Sequence, residues 1–594
     1  MPHLSSTITN EVRDGILTLP VLPHQHVLTR HLNERGLANE TDTDDATDDI
    51  EQITALYQGY GTHYVDLWIG TPNPQRQTVI VDTGSQITAF PCVECKDCGE
   101  NFHTDSYFDF KKSESFDKVA CDECKLGHCY TKNKDDECAM GLSYQEGSSW
   151  KAYESIDVTY AGGLHEMAVQ GSETVPMGEK ENPYGLIKGQ MPQGASDYSF
   201  KLHFGCENHI TGLFKTQLAD GIMGMSNDNG AYWKQMYAAG AISKQQFSLC
   251  FRRESESAKD GTAAGAMTLG GTNNLFHDTP MVYAKNVRSR GFFTVQVNKV
   301  YMRTNGGLVA WEEDDVVHQL DVASSALNTG NVIVDSGTTD TYLNKNIMNA
   351  FMKVWKEITG FDYRNDGLKL TDEQLNLLPT ILIQLEGDEI NEEVADQLSQ
   401  APEKIPGLAA SVDPENPYDM LIAITPMHYM EYDTDDKAYA SRLYVDERSG
   451  SVLGANTMQG HDVFFDIDNS RVGWAESDCA YMELTGQIEF AEQSQKKVEN
   501  EDETETESST SQAGKPFGEE KHKDAKFCSS SYCRSASFIG LALAAFQGVA
   551  AWKCFRSRVS RQAIPTEETH DVLHDFDTDI KDEDFSPVED NELL

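Results

Sequence analysis

Between about Gln58 and Cys479 the chain is built of short runs rich in Val, Ile, Phe and Tyr, cut by Gly, Asn, Asp and Pro. His63-Tyr-Val-Asp-Leu-Trp-Ile69 and Phe292-Phe-Thr-Val-Gln-Val297 are typical. Alternation of this kind predicts half-buried strands and a mainly β body. Helical spacing is rare. Its best case is Asn344 to Thr359, where Ile347, Phe351, Val354, Trp355 and Ile358 share one face of a helix.

The pattern breaks at both ends. Residues 1–52 hold an apolar patch, Ile16 to Leu22, followed by His24 and His26, and then the acidic run Asn39 to Asp49, which reads as an exposed, cleavable hinge. After the body (53–272 and 273–484), residues 485–534 are rich in Glu, Ser and Thr, as a solvated stalk is. Ser535 to Trp552 then runs for eighteen residues without a charge, just enough to span a bilayer; a buried or interfacial helix is the other reading of this Ala-rich stretch. Lys553, Arg556, Arg558 and Arg561 follow and predict a cytoplasmic tail (553–594), which leaves the body lumenal.

Composition narrows the possibilities. The 594 residues exceed what one core holds and call for at least two packed units. With 48 Lys+Arg against 96 Asp+Glu, the net charge of −48 repels phosphate backbones, which excludes nucleic-acid binding as a function. Of 13 cysteines, Cys92, Cys95, Cys98, Cys121, Cys124, Cys129 and Cys138 cluster, and Cys206, Cys250 and Cys479 follow within the body. This predicts disulfides and an oxidising compartment. Zinc is the rival reading of the C-x2-C pairs. Seven is odd, so either Cys206 completes the set or one thiol stays free. No secretory signal is visible at the N-terminus, which conflicts with a lumenal body and leads us to expect a start upstream of Met1.

Candidate chemistry lies in a repeated tetrad. Val79-Ile-Val leads into Asp82-Thr83-Gly84-Ser85, and Val332-Ile-Val leads into Asp335-Ser336-Gly337-Thr338. One such turn is ordinary; two with the same apolar lead are not. Each puts a carboxylate at a strand end, beside hydroxyls that can donate to it and a Gly that admits a close neighbour. Two carboxyls brought together hold one proton over a wide acidic range. One can then accept a proton from water while the other gives one to a carbonyl. The aspartic-protease dyad is the standard instance of this effect.

With these tetrads the chain, from roughly Gly59 to Cys479, resembles a pepsin-type aspartic peptidase, and further motifs fall in the family's order. Tyr64 to Pro72 resembles its first strand and turn, and Tyr144-Gln-Glu146-Gly147-Ser148 resembles the tip of its substrate-covering flap. Asp220-Gly-Ile-Met-Gly224 and Ser451-Val-Leu-Gly454 resemble its two hydrophobic-hydrophobic-Gly elements. Gly270-Gly-Thr resembles the start of the connection between lobes, and Phe464 to Trp474 its closing strands. The resemblance implies a bilobed, all-β fold with a cleft between the lobes. It also implies catalysis by Asp82 and Asp335, oriented by Ser85 and Thr338, with Thr83 and Ser336 tying the loops together and Tyr144 in the flap.

The cysteine-rich insert, with Phe204-Gly-Cys206 and Phe214-x2-Gln217-x2-Asp220-Gly, looks like the nepenthesin-type insert of the membrane-anchored plasmepsin V group. That likeness implies that Glu146 and Gln217 receive a basic substrate residue. Where many pepsins have a Trp after the first tetrad, this chain reads Ile87-Thr-Ala-Phe90-Pro-Cys92, which puts the usual bond to the flap tyrosine in doubt. The leader resembles an inhibitory prosegment, and Glu589 to Leu593-Leu594 resembles an acidic dileucine signal for sorting adaptors. The expectation is therefore a monomeric, single-pass, lumen-facing peptidase acting on polypeptides, with no metal or organic cofactor. A catalytically silent, membrane-anchored peptide-binding protein is the alternative.

Overall fold

The computed structural model describes the backbone of Glu11–Arg13, Ile16–Thr18 and Glu51–Gln58, and residues 62–479 apart from 131–136, 145–146, 163–197, 254–262, 275–276, 305–314, 399–404 and 434–436. All of these belong to one compact unit, residues 1–508. The fold is mostly β-sheet, as the alternation predicts.

In the first half, β1 (Glu51–Gln58) pairs antiparallel with β2 (His63–Ile69), and β2 with β3 (Gln75–Asp82). After β4 (Ala89–Pro91), β5 (Glu137–Ser143) and β6 (Ser149–Ala161) form a hairpin, and β6 continues against β7 (Phe200–Thr211). Next, β8 (Gly221–Gly224) lies parallel to β3, with Gly224 opposite Asp82. The antiparallel pair β9 (Gln246–Phe251) and β10 (Ala263–Leu269) joins β1 through β10.

The second half contains β11 (Val297–Arg303), β12 (Val332–Val334), β13 (Thr341–Asn344), β14 (Thr380–Leu385), β15 (Met420–Ile424), β16 (Leu443–Glu447) and β17 (Ser451–Leu453). Strands β11, β14 and β15 form an antiparallel sheet. Strand β17 runs parallel to β12, as β8 does to β3. The closing hairpin β18 (His461–Asp466) and β19 (Arg471–Glu476) then pairs with β9, which joins the end of the described chain to its middle. Phe247, Phe293 and Phe465 pack together at this junction, with centroids 4.6 to 5.8 Å apart.

One difference from the expected half-buried strands is instructive. β2 is buried on both faces, Asp66 included. Its polar side chains are covered by protein rather than by water: on one face Asp66 lies 3.9 Å from Arg76, which pairs in turn with Asp105 at 2.9 Å, and on the other His63 stacks on Phe251 at 4.0 Å. The helix expected over Asn344 to Thr359 is found as Met348–Thr359 behind a 3-10 turn, Lys345–Ile347. The Asn344 side chain accepts from the Asn346 N–H and opens the turn, and Gly360, at φ +79°, closes the helix. Ile347, Phe351, Val354 and Trp355 are buried, as their spacing implies.

The ten cysteines between Cys92 and Cys479 pair as Cys92–Cys206, Cys95–Cys98, Cys121–Cys129, Cys124–Cys138 and Cys250–Cys479. Cys206 thus completes the odd set. The sulfurs required by the zinc reading are joined to one another. Glu154, wholly buried, gathers the insert by accepting from the backbone N–H groups of Lys125, Leu126 and Gly127 and bonding His203 Nδ1 at 2.8 Å.

No helix among the described residues is long and apolar enough to cross a membrane. The expected span 535–552 lies outside the described residues. So do the stalk, the tail with Leu593 and Leu594, and the acidic hinge.

The Cys250–Cys479 bond closes 229 residues and joins β9 to the segment after β19. Replacing both cysteines by serine is expected to lower stability by about 2–5 kcal/mol, read as a fall in Tm under oxidising conditions that vanishes when both proteins are compared in reductant.

Candidate active site

Each tetrad follows the end of a buried strand that is held by a parallel neighbour. Asp82 ends β3, and its carbonyl accepts from Met225 N–H just after β8, at 2.8 Å. Asp335 follows β12, and its N–H donates to the Leu453 carbonyl on β17 at 3.0 Å. Four crossed bonds join the two loops. Thr83 N–H donates to Ser336 Oγ (3.0 Å) and Ser336 N–H to Thr83 Oγ1 (2.9 Å), while Thr83 Oγ1 donates to the Val334 carbonyl (3.0 Å) and Ser336 Oγ to that of Val81 (2.8 Å). All of these groups are buried, so the bonds exchange with no water and fix the loops relative to each other.

That grip brings the carboxyls together. Gly84 and Gly337 provide the room: a Cβ on Gly84 would stand 2.8 Å from Asp335 Oδ1, and one on Gly337 closer still to Asp82 Oδ1. The surroundings of the pair are nearly symmetric. Gly84 N–H donates to Asp82 Oδ1 at 2.8 Å and Ser85 Oγ to Asp82 Oδ2; Gly337 N–H donates to Asp335 Oδ1 at 3.0 Å and Thr338 Oγ1 to Asp335 Oδ2 at 2.6 Å. Asp82 is 5 % exposed and Asp335 9 %. Burial, then the Asp335 charge and a carboxyl–carboxyl hydrogen bond, raise the Asp82 pKa well above the ordinary carboxylate range, against the pull of Ser85 and Gly84. The arrangement can keep one proton between two carboxyls and present it to a substrate.

The β5–β6 hairpin carries Tyr144 over this pair. Its backbone closes through Tyr144 N–H to the Ser148 carbonyl (2.9 Å) and Gly147 N–H to the Tyr144 carbonyl (3.0 Å), with Gly147 at φ +94°. Tyr144 Oη lies 3.0 Å from Ser85 Oγ and accepts from Trp150 Nε1 at 3.2 Å. A tryptophan on the returning strand thus supplies the bond that the missing one after the first tetrad put in doubt. Phe214 meets the Tyr144 ring edge-on at 5.2 Å, and Ser148 Oγ accepts from Leu213 N–H at 2.9 Å. Burial, with the Asp82 charge, raises the Tyr144 pKa, which keeps the phenol protonated.

Glu146 lies outside the described residues. Gln217 is half-buried in the turn after β7; its N–H donates to the Leu213 carbonyl at 2.9 Å, and its Nε2 is buried without a hydrogen-bond partner. Sequence reasoning missed Trp150 and Asp340, and it quoted Phe214 as part of a motif without its contact with Tyr144. Trp150 sits among alternating strand residues and carries no local mark of its role. Asp340 lies five residues beyond Asp335; burial, only partly offset by Arg442, pushes its pKa up to about 6.

Residues 199–477 match the family described as eukaryotic aspartyl protease, and residues 63–271 match the xylanase inhibitor N-terminal family. Plasmepsin V of Plasmodium falciparum (isolate 3D7) is 22% identical over 470 residues, 71% of this chain and 72% of its own. Aspartic proteinase 39 of Arabidopsis thaliana is 24% identical over 436 residues (71% and 75%), and aspartic protease 5 of Toxoplasma gondii 26% over 337 residues (52% and 32%). The chain therefore spans about three quarters of the length of the first two and about a third of the third. Taken together, fold, site and comparisons define an endopeptidase class. The chain belongs to the pepsin-type aspartic proteases.

The raised Asp82 pKa has a stability cost of known sign. Above its ordinary value near 3.8 the unfolded chain releases a proton that the folded form retains, so folding weakens as pH rises towards the folded value. Asp82→Asn removes this ionisation. Its Tm is expected to exceed that of the parent at pH 7 and to approach it at pH 4; an equal difference at both would contradict this account.

Proposed function

We propose that the protein hydrolyses peptide bonds through Asp82 and Asp335, in a cleft between two β-rich lobes divided near residue 272. A water held by the pair attacks the scissile carbonyl; the ionised carboxyl takes the water's proton, and the protonated one donates to the carbonyl oxygen. Ser85 and Thr338 orient the outer oxygens, Thr83 and Ser336 hold the loops, and Tyr144 covers the substrate. The observation that carries this reading is the placing of each carboxyl against the other loop's glycine.

The processing role follows the likeness to plasmepsin V, as does the preference for a basic residue near the scissile bond, assigned to Glu146 and Gln217. The uncharged segment 535–552 and the basic residues after it support a membrane-anchored protease of the secretory or endosomal pathway. The paired cysteines fit the same compartment. The leader 1–52 serves as a prosegment released at the acidic hinge.

A second reading is a catalytically silent, membrane-anchored peptide-binding protein, and the inhibitor description of the match over residues 63–271 favours it. The presence of both carboxyls with their full set of donors favours the peptidase.

Cleavage of a peptide library separates the two. Asp82→Asn is expected to lower turnover by about a thousandfold, and activity independent of Asp82 would reject the mechanism. Replacing Glu146 with Ala should slow peptides with an upstream arginine selectively, whereas an equal loss on neutral peptides would refute its role.

A further inference from the structure

The cysteine-rich insert reaches the support of the Tyr144 hairpin through His103. The first loop of the insert starts at Cys92, which is bonded to Cys206 on β7, and is drawn in by the Cys95–Cys98 bond and by Cys98 N–H donating to Tyr107 Oη at 2.8 Å. Further along it, His103 Nε2 lies 2.7 Å from the Phe214 carbonyl. A carbonyl only accepts, so the ring carries its proton on Nε2 and donates it. Gly99, at φ +94°, admits the ring: a Cβ there would collide with it.

The carbonyl that His103 holds belongs to the 3-10 turn Gly212–Lys215, into which β7 runs directly and on which the hairpin rests twice. Phe214 meets the Tyr144 ring edge-on at 5.2 Å, and Leu213 N–H donates to Ser148 Oγ at 2.9 Å. The next residue of the insert grips the chain beyond that turn, where Thr104 N–H and Oγ1 both donate to the Leu218 carbonyl at 3.0 Å. Asp97 and Lys215 also pair, at 2.7 Å, but in contact with water, where such a pair adds little. His103 Nδ1 is buried with no hydrogen-bond partner among the described residues. A buried ring nitrogen left in that state weakens a fold, so stability alone does not account for a histidine here. Burial lowers the His103 pKa, against the pull of the Phe214 carbonyl and the Glu100 charge, which favours the neutral ring.

We propose that His103 is a positioning residue: by fixing the Phe214 turn it sets the closed position of the Tyr144 hairpin over the carboxyl pair, and this is what the insert contributes to catalysis. The proposal rests on the peptidase reading above. His103 acts through Phe214 and Leu213 rather than on the reacting groups. Loss of its bond leaves the chain held at Leu218 and free to shift at Phe214. The hairpin is then closed for less of the time, and substrate binding weakens before the chemistry does.

The test uses the full chain with His103→Ala and His103→Gln, a glutamine amide reaching the place of Nε2 and keeping the donor. In His103→Ala, KM for a peptide substrate is expected to rise about tenfold while kcat changes by less than about threefold. The pH limbs of kcat belong to the carboxyl pair and should stay in place. Hydrogen exchange adds a reading that needs no activity: the Tyr144 and Gly147 amides should exchange faster, and those of β3 and β8 should not. His103→Gln is expected to return both readings close to wild type. An unchanged KM or unchanged hairpin exchange in His103→Ala, a uniform rise in exchange across the sheet, or no recovery in His103→Gln overturns the proposal. Should His103→Ala not fold, His103→Asn, too short to reach the carbonyl, replaces it with the same outcomes. Wild-type cleavage that survives Asp82→Asn overturns the peptidase reading instead, so the two failures are distinct.

Discussion

The crossed bonds between Thr83 and Ser336 are the constraint on which the site depends. Residues more than two hundred positions apart exchange four buried hydrogen bonds, each loop using its hydroxyl and its N–H on the other. Without that grip two carboxyls would separate, because burial and mutual repulsion both oppose their approach. With it, the glycines allow the approach, the Gly84 and Gly337 N–H groups donate to the inner oxygens, Oδ1 of each carboxyl, and the Ser85 and Thr338 hydroxyls occupy the outer ones, Oδ2. The supporting layers serve the same end: β8 behind β3 and β17 behind β12 are short parallel strands that leave each loop little freedom.

From Asp82 a line of polar contacts runs outward through Ser85 to Tyr144 and on to Trp150. The hairpin is thereby linked to the charge state of the pair it covers. In the proposed mechanism this link positions the cover over a substrate, and Phe214 and Ser148 provide its second support from the turn after β7. The buried acids beyond the pair divide by their partners. Glu154 is fully bonded and organises the disulfide-rich insert, whereas Glu207 has one oxygen without a partner.

The tetrads were legible in the sequence because their chemistry is local: carboxyl, hydroxyl and glycine are adjacent, and the repetition with its apolar lead identifies them. The helix was legible for the same reason, and its start moved to Met348 only because Asn344 caps a preceding 3-10 turn. Pairing of the cysteines was not legible, since it depends on which strands meet. Cys92 reaches Cys206 because β4 lies beside β7. Trp150 was hidden because the hairpin register, rather than any motif, sets it against Tyr144. The buried polar face of β2 was misleading, because alternation reports polarity and not what covers it.

The central claim concerns one hydrogen nucleus, and neutron diffraction from a deuterated crystal at mildly acidic pH observes it directly. The account predicts a single deuteron between the Asp82 and Asp335 carboxyls, with Ser85 and Thr338 donating to the outer oxygens. Oxygens facing separate cavities, or a pair carrying no deuteron, would contradict it.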